Sequence, residues 1–228
     1  MFFPYHRISQ VPLKEILPRL ICVFEHWGKP GSMRVDNGEP FGSPKMNPTT
    51  ALSLWLIAND IDMIFNRPYC PQMNAKVEKM QDTTSRWAEI DTCQNLEELQ
   101  SRLNQEVIIQ RTAYKVTRLG NKTRLEVFHE LEISKRIFRV QDFDPERVYA
   151  FLAKKTYPRK VSSDGQITHF CRKIQISTKY KAQYITIKFN AVECSWQVFD
   201  NKLNLIKTSK AEYLSPDNIM NMTVFQRT

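Results

Sequence analysis

The chain has 228 residues, of which 42% are hydrophobic, so we expect a packed core and not wholesale disorder. Its net charge of +9 favours an anionic partner, and the excess is greatest in residues 141–228, which hold 14 Lys/Arg against 8 Asp/Glu. The five scattered cysteines and four scattered histidines argue against a disulfide framework or a zinc knuckle. No run reaches the roughly 18 apolar residues that span a bilayer, so we predict a cytoplasmic protein without a membrane partner.

The first part of the sequence predicts helices that alternate with short strands. Apolar residues at helical spacing predict a helix over residues 11–27, and a strand follows at residues 33–35. Asp36-Asn37-Gly38 predicts a turn out of that strand. A second helix is predicted from Pro48-Thr49 to about Asn59, and a short strand from Ile61 to Phe65.

The next part predicts mainly helices. After a proline-bounded loop, the sequence from about Gln72 repeats apolar residues at three- and four-residue steps, which predicts a buried helix face with Glu78 at its edge. That face consists of Val77, Met80, Thr84, Trp87 and Ile90. Another amphipathic helix is predicted over residues 95–111, and Thr123 is predicted to cap a short helix.

After Asp144-Pro145 the pattern changes to alternation. The alternating residues are Ile174 and Ile176; Ile185, Ile187 and Phe189; Trp196 and Val198; and Leu203 and Leu205. Turn residues at 162–165 and 200–201 separate these runs. Five short strands in about 45 residues predict a small antiparallel barrel.

Two carboxylates lie in distinctive surroundings. Asp36 lies in Arg-Val-Asp-Asn-Gly-Glu-Pro-Phe (34–41), and Glu78 lies in Pro-Gln-Met-Asn-Ala-Lys-Val-Glu-Lys (71–79). Each motif alone has an ordinary interpretation, since Asp-Asn-Gly is a common turn and Glu78 could be a solvated helix residue. Gln72 and Asn74 could likewise be loop residues that satisfy backbone groups.

In this order, with a helix and a strand between them, the motifs resemble the catalytic core of retroviral-type integrases and DDE transposases of bacterial insertion sequences. Residues 161–206 resemble the small β-barrel at the end of such insertion-sequence and Mu-type transposases. The resemblance implies an α/β protein with a partial RNase H-like integrase core at 1–110, a helical and basic connector at 111–150, and an all-β SH3-like barrel at 151–228. The family's first three strands have no counterpart in these 228 residues.

The resemblance also implies a chemistry. The family joins DNA strands with two divalent ions, Mg²⁺ or Mn²⁺, held by three carboxylates. Asp36 and Glu78 correspond to the second and third carboxylates, as catalytic residues and metal ligands, and the first aspartate has no counterpart. We therefore expect the chain alone to be inactive in strand transfer. Near that site the resemblance implies that DNA is contacted by Asn37, Gln72, Asn74, Lys76 and Lys79.

A cluster of cations lies in the C-terminal part. We predict DNA-backbone contacts, mostly without sequence specificity, from Lys154, Lys155, Arg159, Lys160, Arg172, Lys173, Lys179 and Lys181. Lys188 belongs to the same cluster, in which Asp164 is the single acidic residue. The ordinary alternative is a solvated, lysine-rich surface. Tyr157, Phe170 and Tyr180 are interleaved with these cations, and barrel packing explains them better than DNA contact.

Three functional hypotheses remain open at the level of sequence. The first is an N-terminally truncated transposase or integrase that keeps nucleic-acid binding and, when bound to DNA, lies at the bacterial nucleoid. The second is a non-enzymatic regulator that inhibits a full-length transposase by co-assembly, which makes that enzyme or a second copy the partner. The third is one half of a split enzyme, in which another polypeptide supplies the missing strands and aspartate.

Overall fold

The computed structural model describes residues 13–38, 40–42, 50–131 and 136–225, which form a mixed α/β protein. The chain divides into two compact units. The first unit takes its residues from Met1–Arg19, Pro30–Phe65 and Arg139–Thr228, and the second takes them from Leu20–Lys29 and Asn66–Phe138. The predicted domain limits at residues 110 and 150 stay a prediction.

The helices of the described residues range from four to seventeen residues in length. They are α1 (Leu13–Trp27), α2 (Ala51–Ala58), α3 (Ala75–Trp87), α4 (Leu96–Thr112), α5 (Arg124–Val127), α6 (Pro145–Ala153) and α7 (Pro216–Met220). None of them combines the length and the apolar composition that a bilayer crossing requires.

The strands are short, with four to seven residues each. They are β1 (Ser32–Val35), β2 (Asp62–Phe65), β3 (Thr156–Lys160), β4 (Gln166–His169), β5 (Arg172–Gln175), β6 (Tyr184–Asn190), β7 (Ser195–Phe199) and β8 (Leu205–Lys210). The predicted strands at 33–35 and 61–65 are confirmed, and the alternating runs at 185–189 and 196–198 lie in β6 and β7. Ile174 and Leu205 also lie in strands, but Ile176 and Leu203 lie outside them, and Leu203 is 70% exposed.

In the first unit, β1 and β2 form a two-stranded parallel sheet, with Ser32 opposite Asp62 and Val35 opposite Phe65. The connecting α2 begins after Thr50, whose hydroxyl accepts a hydrogen bond from Ser53 N at 3.2 Å. The predicted opening of this helix at Pro48-Thr49 lies outside the described residues. Apart from Ser53 the helix α2 is apolar all round, and seven of its eight residues are buried, as is typical of such a helix.

The C-terminal part of this unit contains a four-stranded antiparallel sheet in the order β3-β6-β7-β8, and β4 and β5 pair with each other as a separate hairpin. Ile185, Ile187 and Phe189 alternate with exposed or half-exposed residues along β6, so one face of the sheet is buried. The buried face packs on α6, and α6 packs on α2, so helix and sheet share one core. Its largest fully buried side chains include Trp196, Tyr157, Phe170, Leu54, Leu152 and Leu214.

The prediction of several short antiparallel strands is confirmed, but the prediction that they close into a barrel is not. Among the described residues, β4 and β5 form hydrogen-bonded ladders only with each other, so β3 and β8 remain the edges of an open sheet. The edge position of β3 also explains Pro158 within it, because proline cannot donate a ladder hydrogen bond.

The second unit is mainly helical. Phe24 of α1 packs on Phe138 with ring centroids 5.8 Å apart, and the Arg111 guanidinium lies 3.5 Å from the centroid of the Trp27 ring. Thr123 opens α5 as predicted, with a capping box to Glu126.

The predicted buried face of α3 is wrong. None of the residues of α3 is buried, and Val77 and Met80 are each more than half exposed. Trp87 and the following Ile90 also expose more than a third of their surface. The helix that the periodicity predicts is present as α3. Among the described helices α4 is its main neighbour, and a single neighbouring helix leaves most of the apolar face of α3 uncovered.

Candidate nucleic-acid interface

Asp36 directly follows the carboxyl end of β1, at the edge of a parallel sheet where α/β proteins commonly bind ligands. The side chains of Asp36 and Asn37 are both exposed. Gly38 and Gly42 exchange two backbone hydrogen bonds of 2.7 Å, which closes the turn beyond the motif. The chain bends at Asn37, but the hydrogen-bonded turn lies beyond the motif, so the turn interpretation of Asp-Asn-Gly and a further role of Asp36 both stay predictions.

Glu78 lies in the first turn of α3 and is exposed. A carboxylate at this position interacts favourably with the positive end of the helix dipole. Asp36 belongs to the first unit and Glu78 to the second.

Asn74 has a structural role in the loop before α3. Its Oδ1 accepts a hydrogen bond from Nδ2 of the buried Asn66, and its carbonyl accepts from Glu78 N at 3.0 Å. Gln72 beside it is exposed. For Asn74, the ordinary interpretation as a residue that holds the loop is thus supported directly by the geometry.

The two lysines of the same motif point to solvent. Lys76 is exposed, and Lys79 forms an ion pair with Asp82 at 3.3 Å, one turn further along α3. Asp82 also pairs with Arg86 at 3.0 Å. Exposed pairs of this kind contribute little to stability, so neither lysine is needed to hold the helix.

A Mg²⁺ or Mn²⁺ ion, which the family resemblance implies, needs several oxygen donors that converge on one point. Among residues 13–38, 40–42, 50–131 and 136–225, no three His, Cys, Asp or Glu side chains lie together in a way that could hold an ion. The described residues alone therefore do not fit a two-ion centre.

Three of the predicted DNA-contacting cations lie together in the C-terminal part of the first unit. Arg159, Lys160 and Lys173 line an open depression of about 380 Å³ beside the β4–β5 hairpin. Its other walls carry mostly neutral polar groups, among them Thr168, and Asp164 is its acidic member. The depression is therefore positively charged and rich in hydrogen-bond donors.

The β4–β5 hairpin positions these cations. Thr168 lies opposite Lys173 in its register, so both side chains share the exposed face, while Ile167 and Ile174 share the buried one. The Arg159 guanidinium donates to the carbonyl of Thr168 at 3.2 Å, which ties β3 to the hairpin. Burial lowers the pKa of Arg159 from its ordinary value, but a guanidinium keeps its charge at neutral pH.

A second depression, of about 400 Å³, shares Lys173 with the first. Arg172 and Lys210 also line it, and Glu212 is its acidic member. The Arg172 guanidinium lies 4.4 Å from the centroid of the Tyr213 ring. The two depressions meet at Lys173, and five cations line them in all. We call this pair of depressions the basic groove, and its cations are Arg159, Lys160, Arg172, Lys173 and Lys210.

The remaining predicted cations do not line the basic groove. Lys155 lies with its ammonium 4.2 Å from the centroid of the Phe151 ring, and burial lowers the pKa of this lysine. Lys179 lies 5.5 Å from the Tyr180 ring in a short 3₁₀ turn, and Lys181 follows that turn. Lys154 is exposed at the end of α6.

The aromatic residues of the cluster divide between core and surface. Tyr157 and Phe170 are fully buried, so the packing interpretation is confirmed for both, and Tyr180 packs against the same core while partly exposed. Burial raises the pKa of Tyr157, which leaves its phenol neutral. Lys210 joins the basic groove without having been singled out in the sequence, and it is the last residue of β8.

No model of a known protein family matches the chain.

Proposed function

We propose that this chain is a nucleic-acid-binding protein related to DDE-type transposases and integrases, and that the basic groove contacts the phosphate backbone of DNA. In this proposal β1, α2 and β2 belong to an RNase H-like core. The six strands β3–β8 then correspond to an SH3-like module in an open form. The Asp-Asn-Gly and Pro-Gln-Met-Asn motifs support the relationship.

The observation that carries the proposal is the sharing of Lys173 between two adjoining depressions. Five cations line the basic groove, and two acidic residues, Asp164 and Glu212, line it with them. Such an excess attracts a polyanion and releases its condensed counterions on binding. Because phosphate contacts carry no base information, we expect binding to depend little on sequence.

The test is binding of a labelled duplex by the intact 228-residue chain, measured by fluorescence anisotropy at about 0.1 M salt. Lys173→Gln removes the shared cation and is expected to weaken binding about tenfold. Lys202→Gln removes an equally exposed lysine from the turn before β8, outside both depressions, and is expected to bind like the parent chain. Equal weakening by both substitutions would mean that only net charge matters, and the proposal of a groove would fail.

We further propose that the 228-residue polypeptide by itself does not join DNA strands, because the family resemblance gives counterparts to two of the three catalytic carboxylates, Asp36 and Glu78, and none to the first aspartate. The check is a strand-transfer assay of the pure chain with Mg²⁺ and with Mn²⁺. Product that forms with the parent chain and disappears with Glu78→Gln would contradict this part of the proposal.

A second candidate function is assembly with another transposase polypeptide, as an inhibitor or as half of a split enzyme. The observation that favours it is the exposed apolar surface of the second unit, where Val77, Met80 and Ile108 are each more than half exposed. Clusters of exposed apolar side chains commonly mark interfaces between proteins.

Mixing the chain with a full-length relative would distinguish these functions. Inhibition of the relative by less than one equivalent favours the regulator, and strand transfer restored by a polypeptide carrying the first aspartate favours the split enzyme. If Met80→Gln, which makes the surface polar, leaves both effects unchanged, the exposed face of α3 is not the interface.

A further inference from the structure

The outer face of the sheet β3-β6-β7-β8 lies opposite its buried face and outside the core. Its central row crosses all four strands through Pro158, Thr186, Phe199 and Leu205, which are directly paired in the register. Leu205 is 53% exposed and Phe199 is partly exposed. An outward row that is mostly apolar is unusual for a sheet with one solvated face, where outward residues are ordinarily polar.

Rows of polar and basic residues flank this apolar row. The row on one side consists of residues paired across the four strands: Thr156, Lys188, Gln197 and Thr208. In the row on the other side, Lys160 is paired with Tyr184. Tyr184 is 61% exposed. The Lys188 ammonium lies 5.6 Å from the centroid of the Phe199 ring, so a cation and an aromatic ring stand side by side on this face.

The two rings lie diagonally across adjacent strands. Thr186 is paired with Phe199, so Tyr184, two residues earlier on β6, is the diagonal neighbour of Phe199. Diagonal neighbours in an antiparallel pair lie about 7–8 Å apart, a distance that aromatic side chains bridge easily. Consecutive bases of an extended single strand can therefore each find a ring on this face.

Charge on this face favours an anion. No Asp or Glu occurs among the residues of the three rows. Lys188 supplies the positive charge at the centre of this face, and Lys160, which also lines the basic groove, lies at its border. Acidic residues lie just beyond the strand ends: Glu193 before β7, Asp200 before β8 and Glu212 after β8. The carboxylate of Asp200 is engaged by Asn204, whose backbone N donates to it at 2.9 Å.

Stacking distinguishes the possible nucleic acids. In a duplex each base face is covered by the neighbouring bases, so the rings of Tyr184 and Phe199 could stack only on unpaired bases. Lysines beside such rings can contact the phosphates of the same strand. We propose that the outer face of the β3-β6-β7-β8 sheet binds single-stranded nucleic acid, with Tyr184 and Phe199 as stacking platforms and Lys188 as the central phosphate contact. This inference deepens the proposed function, which assigns duplex phosphate to the basic groove.

Binding of single strands to the intact chain tests the inference, with labelled oligo(dT) and oligo(rU) of about 12 nucleotides as probes. Tyr184→Leu keeps an apolar side chain but removes the ring, and it is expected to weaken single-strand binding about fivefold or more. Tyr184→Phe keeps the ring and is expected to bind like the parent chain. Phe199→Leu and Phe199→Tyr form a second matched pair, and circular dichroism checks that each variant is folded.

The outcomes separate this inference from the proposed function. The inference is supported if Tyr184→Leu weakens single-strand binding, Tyr184→Phe does not, and duplex binding is unchanged. Comparison of oligo(dT) with oligo(rU) then identifies whether deoxyribose or ribose is preferred. Equal single-strand binding by the parent chain and both leucine variants overturns it, as does the absence of single-strand binding. Loss of duplex binding by Lys173→Gln is a separate result that concerns the groove alone.

Discussion

Gly165, in the turn before β4, occupies a position that admits no side chain. Its φ of +72° lies in the left-handed region, and a Cβ there would lie 2.5 Å from the backbone of Ser177 and Thr178. We expect Gly165→Ala to lower the free energy of unfolding by about 3 kcal/mol or more, because strain and a backbone clash add together. Urea denaturation would measure the change.

Gly120 provides the matched control for this prediction. Its φ of +70° is nearly the same, but nothing lies within 4 Å of a Cβ built there. Gly120→Ala should therefore show the conformational cost alone, about 1–2 kcal/mol. Equal losses in the two variants would contradict the close approach of Gly165 to residues 177 and 178.

His169 is a buried ionisable residue inside an aromatic cluster. Its ring lies 4.2 Å from that of Trp196 and 5.0 Å from that of Tyr157, and neither ring nitrogen has a hydrogen-bond partner among the described residues. Burial, with a smaller contribution from the charge of Arg159, lowers the pKa of His169 to about 3.

Stability should therefore depend on pH through His169. Between pH 6.5, near its ordinary pKa, and about 3, the unfolded chain binds a proton that the folded chain does not. The contribution of His169 to the free energy of unfolding is fully present above pH 6.5. Below that pH it falls by up to about 1.4 kcal/mol for each pH unit. Urea denaturation from pH 7.5 to 4.5 measures this dependence of the unfolding free energy on pH. His169→Leu should flatten it, whereas His129→Leu, which replaces an exposed histidine, should not. The same slope in both variants would contradict the burial of His169.

Individual residues could be interpreted from the sequence where the chemistry is local. The packing role of Tyr157 and Phe170 was predicted correctly. Lys210 was not singled out, because its neighbours in the basic groove come from a hairpin more than thirty residues earlier in the chain. Sequence spacing carries no information about such a meeting.

At the scale of elements, the cap of α5 is a local device with a measurable effect. Thr123 Oγ1 accepts a hydrogen bond from Glu126 N at 3.2 Å, and the Glu126 carboxylate accepts one from Thr123 N. Thr123→Ala should lower the free energy of unfolding by about 1 kcal/mol, and Thr123→Ser, which keeps the hydroxyl, should change it little. Urea denaturation measures both, and equal losses would show that the hydroxyl is not the cause.

The helices α2 and α3 should respond in opposite ways to substitution. Leu54 of α2 is fully buried, so Leu54→Ala should cost about 2–5 kcal/mol of unfolding free energy. Val77 of α3 is 51% exposed, so Val77→Gln should change stability by no more than about 0.5 kcal/mol. A large loss of unfolding free energy on Val77→Gln, measured by denaturation, would contradict the exposure of this face. It would support the buried face that the sequence periodicity predicted.

Element types followed well from the sequence, and their pairing did not. Alternation predicted β6 and β7 because apolar residues repeat every second position along one buried face. Alternation did not indicate β3, where Pro158 interrupts the pattern, and it could not tell that β4 and β5 would pair with each other. Periodicity reports which side of a strand is buried, but it does not report which strand lies beside it.

For the whole molecule, the charge pattern along the sequence predicted the basic C-terminal part and favoured an anionic partner. It did not indicate how the cations divide among surfaces. Lys155 packs on an aromatic ring, whereas Lys173 stands between two depressions. The division depends on the hairpin register and on the open sheet, which are properties of the folded first unit.

The salt dependence of duplex binding tests the central claim most directly. If all five cations of the basic groove contact phosphates, a plot of the logarithm of the association constant against the logarithm of salt concentration should have a slope of about −4.5. Lys173→Gln should make the slope about one unit less steep, and Lys202→Gln should leave it unchanged. A slope near zero for the parent chain, or the same slope for Lys173→Gln as for the parent, would contradict DNA binding through this groove.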